Sequence, residues 1–384
     1  MTEQARALLR DGDGAGAERV LRDRLAAHPD DAETMHLLGI AAHSQGRLGD
    51  AVRWMEAALD AHPARPTPAS LHNDLGNILL EGGTPNRAIV AYEASLAADP
   101  DDAPTWTNLS TARRLGGDLS GAGAAALRAI GLDRRSQPAW HCFSIALQTL
   151  ASHGRPAEAS ALTRQWLEND PGNPVALHRL AALGEAPAPP RASDAYVQTV
   201  FDGAAATFDE HIAALGYRAP EVVAGELSRR VGEPLGQLAV ADVGCGTGLS
   251  GVALRPYAAS LAGCDLSLGM LRQAQRRGCY DALDKAELVH FLQAHHAAYD
   301  VVTCVDTLCY VGDLTGFTHA AANALRPGGL LVATVERRVG DGWNLTASGR
   351  YVHAAKHIRQ ACTAAGLVDL SCTEALLRDE GGVA

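Results

Sequence analysis

Residues 32–132 repeat one arrangement of small and large apolar side chains about every 34 positions. A chain built that way cannot fold around a single central core. Each copy is too short to bury its own apolar face, so neighbouring copies must stack and share one. The first clear copy, from Ala32, runs Met35, Leu38-Gly39, Ala42, Ala51, Met55, Ala58 and Pro63. The same offsets from Ala69 give His72, Leu75-Gly76, Leu79, Ala88, Tyr92, Ser95 and Pro100. From Ala103 they give Trp106, Leu109-Ser110, Arg113, Ala122, Ala126 and Ala129. Ala69 to Ala103 is a step of 34 residues, whereas Ala32 to Ala69 is 37, which places a three-residue insertion near Pro66-Thr67-Pro68.

Small residues at the eighth and twentieth positions let the two helices of a unit approach closely, and the proline after the second helix stops it. Imperfect copies at 5–29 and 137–171 bring the total to about five, followed by a candidate capping helix over Val175 to Leu183. The pattern resembles the tetratricopeptide repeat. That resemblance implies an all-α superhelix over residues 1–185, with a concave face able to take a peptide. Asn73, Asn77 and Arg114 fall on that face and are the candidate contacts to a peptide backbone or carboxylate. The tryptophans at 54, 106, 140 and 166 fit the repeat packing and need no ligand.

Residues 186–192 open with Ala186-Pro187-Ala188-Pro189-Pro190 and read as an extended linker. Beyond it the apolar period changes. Runs at 238–243, 261–264, 299–305 and 329–335 alternate with helical stretches, which predicts a parallel α/β sheet within 193–384. A net charge of −11 gives no standing attraction to nucleic acid phosphates or anionic lipid. Eight cysteines lie scattered without a CxxC pair, the usage of reduced, buried thiols. With no long apolar run and a charged N-terminus (Glu3, Arg6, Arg10, Asp11), a cytoplasmic protein without nucleic acid or membrane partners is expected.

The chemistry concentrates in Asp242-Val243-Gly244-Cys245-Gly246-Thr247-Gly248. An apolar strand enters this loop, and Leu249 to Leu254 leave it as a helix whose free N–H groups can face an anionic group. Asp265 ends the next apolar run, 23 residues after Asp242, where a carboxylate can reach ribose hydroxyls. A nicotinamide dinucleotide loop would carry glycine at position 249, which is leucine.

Together with Asp265-Leu266-Ser267, Asp306 to Leu314, Leu325-Arg326-Pro327-Gly328-Gly329 and the Phe201 to Pro220 segment, the loop resembles class I S-adenosylmethionine-dependent methyltransferases. Specifically, it is similar to the bacterial family that also carries tetratricopeptide repeats. The resemblance implies a Rossmann-like α/β domain with S-adenosyl-L-methionine as cofactor. It implies that Gly244, Cys245, Gly246 and Gly248 line the methionine moiety and that Asp242 orients its amino group. By the same resemblance Asp265 and Leu266 take the ribose, and Glu287 and Leu288 meet the adenine, where family members more often carry aspartate. Asp306 and Thr307 would flank the sulfonium, and Tyr217 would cover the cofactor.

An oxygen acceptor would call for a base, and Tyr310, Glu336, Tyr351 and His353 follow the strands, with Tyr310 and His353 the leading candidates. His353 and His357 lie four apart but have no third ligand, so a solvated pair and no metal are expected. The family's sheet ends in an antiparallel sixth and seventh strand. The sixth fits Leu367 to Thr373, nothing after it reads as the seventh, and an open edge of lower stability is expected. Three functions compete: methyl transfer to a protein or carrier-bound substrate brought by the repeats, methyl transfer to a small biosynthetic metabolite, and a scaffold with a vestigial pocket.

Overall fold

The computed structural model describes residues 1–62 and 68–379. Pro63, the Pro66-Thr67 part of the insertion and Glu380-Gly381-Gly382 lie outside them. The chain divides into two compact units, Met1–Asn169 and Asp170–Ala384.

The first unit is five helical hairpins: α1 (Thr2–Arg10) with α2 (Gly14–Ala27), α3 (Ala32–Ser44) with α4 (Leu48–Ala61), α5 (Ala69–Glu81) with α6 (Pro85–Ala98), α7 (Ala103–Leu115) with α8 (Leu119–Leu132), and α9 (Gln137–Ser152) with α10 (Pro156–Asn169). Aspartate or serine caps start several of these helices, among them Asp13, Asp31, Asp118 and Ser136, each accepting from a backbone N–H three residues on. The repeat's small residues allow the expected close approach. A Cβ on Gly76 would stand 2.5 Å from the Tyr92 ring, and one on Gly39 would stand 2.9 Å from Met55 Cε. Trp140 and Trp166 each pack edge to face on Phe143, with centroids 6.3 and 5.6 Å apart, and lie tilted against each other at 4.9 Å.

Asn73 and Asn77 knit this array together. Thr105 Oγ1 donates to Asn73 Oδ1 at 2.9 Å, while Tyr92 Oη and Asn108 Nδ2 donate to Asn77 Oδ1 at 2.8 and 3.1 Å. Their carbonyl oxygens therefore join α5 to α6 and α7. The Arg114 side chain makes no hydrogen bond or ion pair among the described residues.

The second unit opens with α11 (Pro174–Ala182), the segment read as a cap for the repeats. It packs on α12 (Asp194–Ala204): His178 stacks on Tyr196 with centroids 4.0 Å apart and bonds the Gly349 carbonyl at 2.8 Å. The proline stretch that follows is fastened rather than free. Tyr351 Oη donates to the Pro189 carbonyl at 2.9 Å, and the N–H groups of Gly312 and Asp313 donate to Pro190 at 2.8 and 2.9 Å. Helices α13 (Phe208–Ala214) and α14 (Ala219–Val231) then lead into the sheet.

That sheet has β1 (Leu238–Val243), β2 (Ala258–Asp265), β3 (Ala282–Lys285), β4 (Tyr299–Cys304) and β5 (Leu325–Ala333), all parallel, in the order β3-β2-β1-β4-β5. Helices α15 (Leu249–Leu254), α16 (Leu268–Arg277), α17 (Leu288–Gln293) and α18 (Thr315–Ala324) connect the strands. β1 and β4 are buried almost throughout, as their continuous apolar runs predict. β3, with the sequence Ala-Leu-Asp-Lys, is short and mostly exposed, and no apolar run announced it. A small second sheet pairs β6 (Glu336–Arg337), β7 (Trp343–Leu345) and β8 (Tyr351–His353) in the order β6-β8-β7, before α19 (Ala355–Ala364).

The sixth strand expected at Leu367 to Thr373 does not form. Asp369 turns the backbone to φ +54°, and Val368 is 80% exposed, so the segment neither stays straight nor buries an apolar face. Side chains hold it instead: Arg230 donates to Ser371 Oγ at 2.6 Å and Arg359 to the Leu370 carbonyl at 3.2 Å. Leu377 then packs with Val223, Val305 and Val332.

The close approach in the repeats sets a prediction. Gly76→Ala pushes a methyl into the Tyr92 ring and should cost about 1–3 kcal/mol in urea unfolding. Gly39→Ala should cost less, because the flexible end of Met55 can move aside.

Candidate functional site

The glycine loop leaves β1 in a conformation that only glycine takes without strain, with φ of +75° at Gly244, +54° at Gly246 and +87° at Gly248. The N–H groups of Gly244 and Cys245 both donate to the Cys264 carbonyl at 2.9 Å, tying the loop to the end of β2. The next residue of β2, Asp265, accepts from Gly246 N at 3.0 Å and from Ser267 N at 2.8 Å. Ser267 caps α16 by accepting from Met270 N. Asp265 is thus not a helix cap; it bridges the loop and the strand beside it.

These elements border a cavity at the carboxyl ends of β1, β2 and β4, where the strand order reverses. Eleven of the sequence-derived residues line it: Tyr217, Gly244, Cys245, Gly246, Asp265, Leu266, Glu287, Leu288, Asp306, Thr307 and Tyr310. Gly246 presents open space where a Cβ would stand, whereas a Cβ on Gly244 would strike Thr307 at 2.3 Å. One glycine therefore leaves room for a ligand, and the other lets the wall close.

Three candidates lie outside the lining. Asp242 is buried beneath the loop, accepting from Tyr280 Oη at 2.6 Å and Thr303 Oγ1 at 3.0 Å. Both its oxygens are engaged in the core, so it supports the loop from below and does not face the cavity. Burial pushes its carboxyl up to about 6, against the two hydroxyl bonds that pull it down. Gly248 begins α15 and packs toward Tyr280 and Arg277. His353 sits in β8, 1% exposed and stacked at 5.7 Å on the half-buried His357, so His353 is a core residue rather than half of a solvated pair. Its burial lowers its pKa to about 4, leaving the ring neutral near pH 7.

Glu287 is neither solvated nor loosely held. It is 7% exposed and caps α17, with Oε2 accepting from Val289 N and His290 N at 2.9 and 3.1 Å. Tyr310 lies in the cavity wall with its ring edge-on to Phe201 at 5.4 Å, and burial raises its phenol well above the usual range. It is a phenol at neutral pH and can donate a hydrogen bond but not abstract a proton. Burial likewise raises the Tyr217 phenol and the Cys245 thiol.

Phe201 and Phe208, on α12 and α13, also line the cavity, and the aspartates beside them fasten α12 to the start of α16 and α13 to the glycine loop. Asp202 Oδ1 accepts from Ser267 Oγ at 2.5 Å and Gly269 N at 3.0 Å. Asp209 accepts from Thr247 Oγ1 at 2.6 Å and pairs with Arg277, whose Nε donates to the Thr247 carbonyl at 2.6 Å. The Phe-Asp-Gly and Thr-Phe-Asp sequences held this signal, because each puts an aspartate beside a large apolar residue.

Asp306, Cys309 and Glu336 bring possible metal-ligand atoms within 4.8 Å of one another. Arg350 and Arg378 reach both carboxylates, so guanidinium groups stand where a cation would balance the charge.

The Asp242 environment predicts a pH dependence. Its pKa is higher in the folded state, so the stability it contributes is complete below pH ~4 and lost as pH rises through about 6. Urea melts of the full chain should show wild type losing roughly 2–3 kcal/mol against Asp242→Asn between pH 4 and 7. Parallel stability curves would refute this.

Comparison with known proteins agrees with these two architectures. A methyltransferase-domain family model matches residues 241–331, and a tetratricopeptide repeat model matches 2–66 and 73–138. The ubiquinone biosynthesis O-methyltransferase of Salmonella arizonae is 31% identical over 130 residues, 33% of this chain and 53% of that protein. Its counterpart in Salmonella enteritidis PT4 is 29% identical over 129 residues, with the same coverage. The chain thus spans about half the length of these curated relatives. Among solved structures, MamA shares 22% identity at a TM-score of 0.37, covering 43% of this chain and 94% of that one. YrrB, described as a tetratricopeptide protein with an unusual peptide-binding site, shares 17% identity at 0.36, covering 45% of this chain and 87% of that one. The helical hairpins thus coincide with the tetratricopeptide repeat match, and the five-stranded parallel sheet with the methyltransferase-domain match.

Proposed function

We propose that the protein is an S-adenosylmethionine-dependent methyltransferase whose repeat unit receives a protein or carrier-bound substrate. The observation that carries the cofactor reading is the wall shared by Gly246, Asp265 and Glu287. An open-faced glycine, a carboxylate at the end of β2 and a second carboxylate before α17 line one cavity. Those residues suit the methionine, ribose and adenine parts of the cofactor in turn. Bound there, the cofactor supplies a methyl group already activated on a sulfonium, so the chain's own task is to position the acceptor and exclude water.

Phe201, Phe208, Tyr217 and Tyr310 form the apolar part of the wall, and the fastened α12 and α13 carry the first two. With Tyr310 held as a phenol and the Asp306 carboxylate engaged by arginines, the wall suits an acceptor that is itself a competent nucleophile. The relatives named as O-methyltransferases favour oxygen as the acceptor atom. The same aromatic wall favours the second reading, a small planar acceptor for which the repeats serve assembly alone.

In the repeat unit, the Asn73 and Asn77 carbonyls are spent on internal bonds, which leaves their amide nitrogens and Arg114 to meet a partner's carbonyl or carboxylate.

Calorimetry on the full chain should show S-adenosylmethionine binding, and Gly246→Trp should abolish it by filling the cavity. A vestigial pocket would leave both proteins silent. Incubating the full chain with labelled S-adenosylmethionine and a lysate should label a protein-sized fraction, and Arg114→Glu should reduce that label. Label confined to small molecules would instead select the second reading.

A further inference from the structure

Among the described residues, Asp306 is the sole non-glycine residue of the cavity wall with a left-handed backbone, at φ +52°. An L-residue holds that conformation only where its surroundings fix it. Three contacts do so. The Asp306 N–H donates to Thr334 Oγ1 at 2.7 Å, its carbonyl accepts the Cys309 thiol at 3.5 Å, and its carboxylate meets two arginines. Arg350 lies 3.9 Å from one oxygen and Arg378 bonds the other. Both arginines also reach Glu336 Oε1, at 2.9 and 3.4 Å, closing a ring of alternating charge.

Arg378 arrives from a segment outside the sheet, and its side chain is 9% exposed. The backbone is clasped on either side of it: Arg218 N donates to the Leu377 carbonyl at 2.7 Å, and Asp379 N donates to the Leu215 carbonyl at 2.8 Å. The opposing strip of this clasp, 215–218, contains Tyr217, which lines the cavity. One short clasp therefore delivers a wall residue and an arginine to Asp306 together.

We propose that Arg378 is a positioning residue of the cofactor cavity, acting through Asp306, and that the segment 368–379 is part of the site. The proposal rests on the cofactor reading above. Remote charge pairing alone would not need a buried arginine held by backbone bonds on both sides. Releasing it removes the closer of the two arginines that hold the carboxylate of a strained wall residue.

The test is S-adenosylmethionine affinity of the full chain by calorimetry. Arg378→Ala should weaken binding about tenfold, and Arg378→Lys, which keeps a cation but loses the fork, about threefold. In an Asp306→Gly background, where the left-handed backbone carries no penalty, the same changes should weaken it by less than about twofold. Arg337→Ala, which removes an exposed pair with Glu374 from the same segment, should leave affinity within about twofold. Equal losses in both backgrounds overturn the proposal, as does unchanged affinity in Arg378→Ala. If Arg378→Ala fails to fold, the comparison between backgrounds is made with Arg378→Lys and read the same way. Wild type that binds no S-adenosylmethionine overturns the cofactor reading, and this proposal with it.

Discussion

The backbone bonds from Gly244, Cys245 and Gly246 to Cys264 and Asp265 determine where everything else in the second unit can stand. They join the ends of two neighbouring parallel strands at the point where the sheet changes direction. A turn that tight requires positive φ at three residues, and the third releases the chain into α15. Beneath it, Asp242 ties Tyr280 and Thr303 into the core. A buried acid there trades stability at neutral pH for a rigid floor under the loop.

The repeat unit depends on a different constraint, the distance between paired helices. Gly39 and Gly76 admit Met55 and Tyr92, and the Tyr92 hydroxyl then reaches Asn77 on the facing helix. Packing and polar bonding are coupled at that point: the ring can lie close only because glycine is there, and its hydroxyl finds a partner only because the ring lies close. The asparagines that looked like ligand contacts are thereby recruited to hold consecutive units together.

Strand and loop positions were legible because buried parallel strands write themselves as continuous apolar runs, and β1 and β4 did so. β3 did not, since four residues with two charges carry no such run. Leu367 to Thr373 misled in the opposite direction. It fits the place of the family's sixth strand, yet Asp369 bends it, and Val368 stays exposed. His353 followed the same logic: polar residues near a site suggest chemistry, and only packing could show that this one is enclosed by β8 and α19.

By itself the sequence determined the two architectures, the glycine loop and most of the cavity wall, because period, glycine spacing and strand-end carboxylates are local properties. Tertiary structure decided which of those residues face open space and which are consumed in holding the fold. It placed Asp242 below the loop, drew Asp202 and Asp209 to its rim, and brought Arg378 to Asp306 across 72 residues of chain. Such pairings depend on where distant segments meet. No short window of sequence contains both partners, so the charge balance around the cavity appears only once the chain is folded.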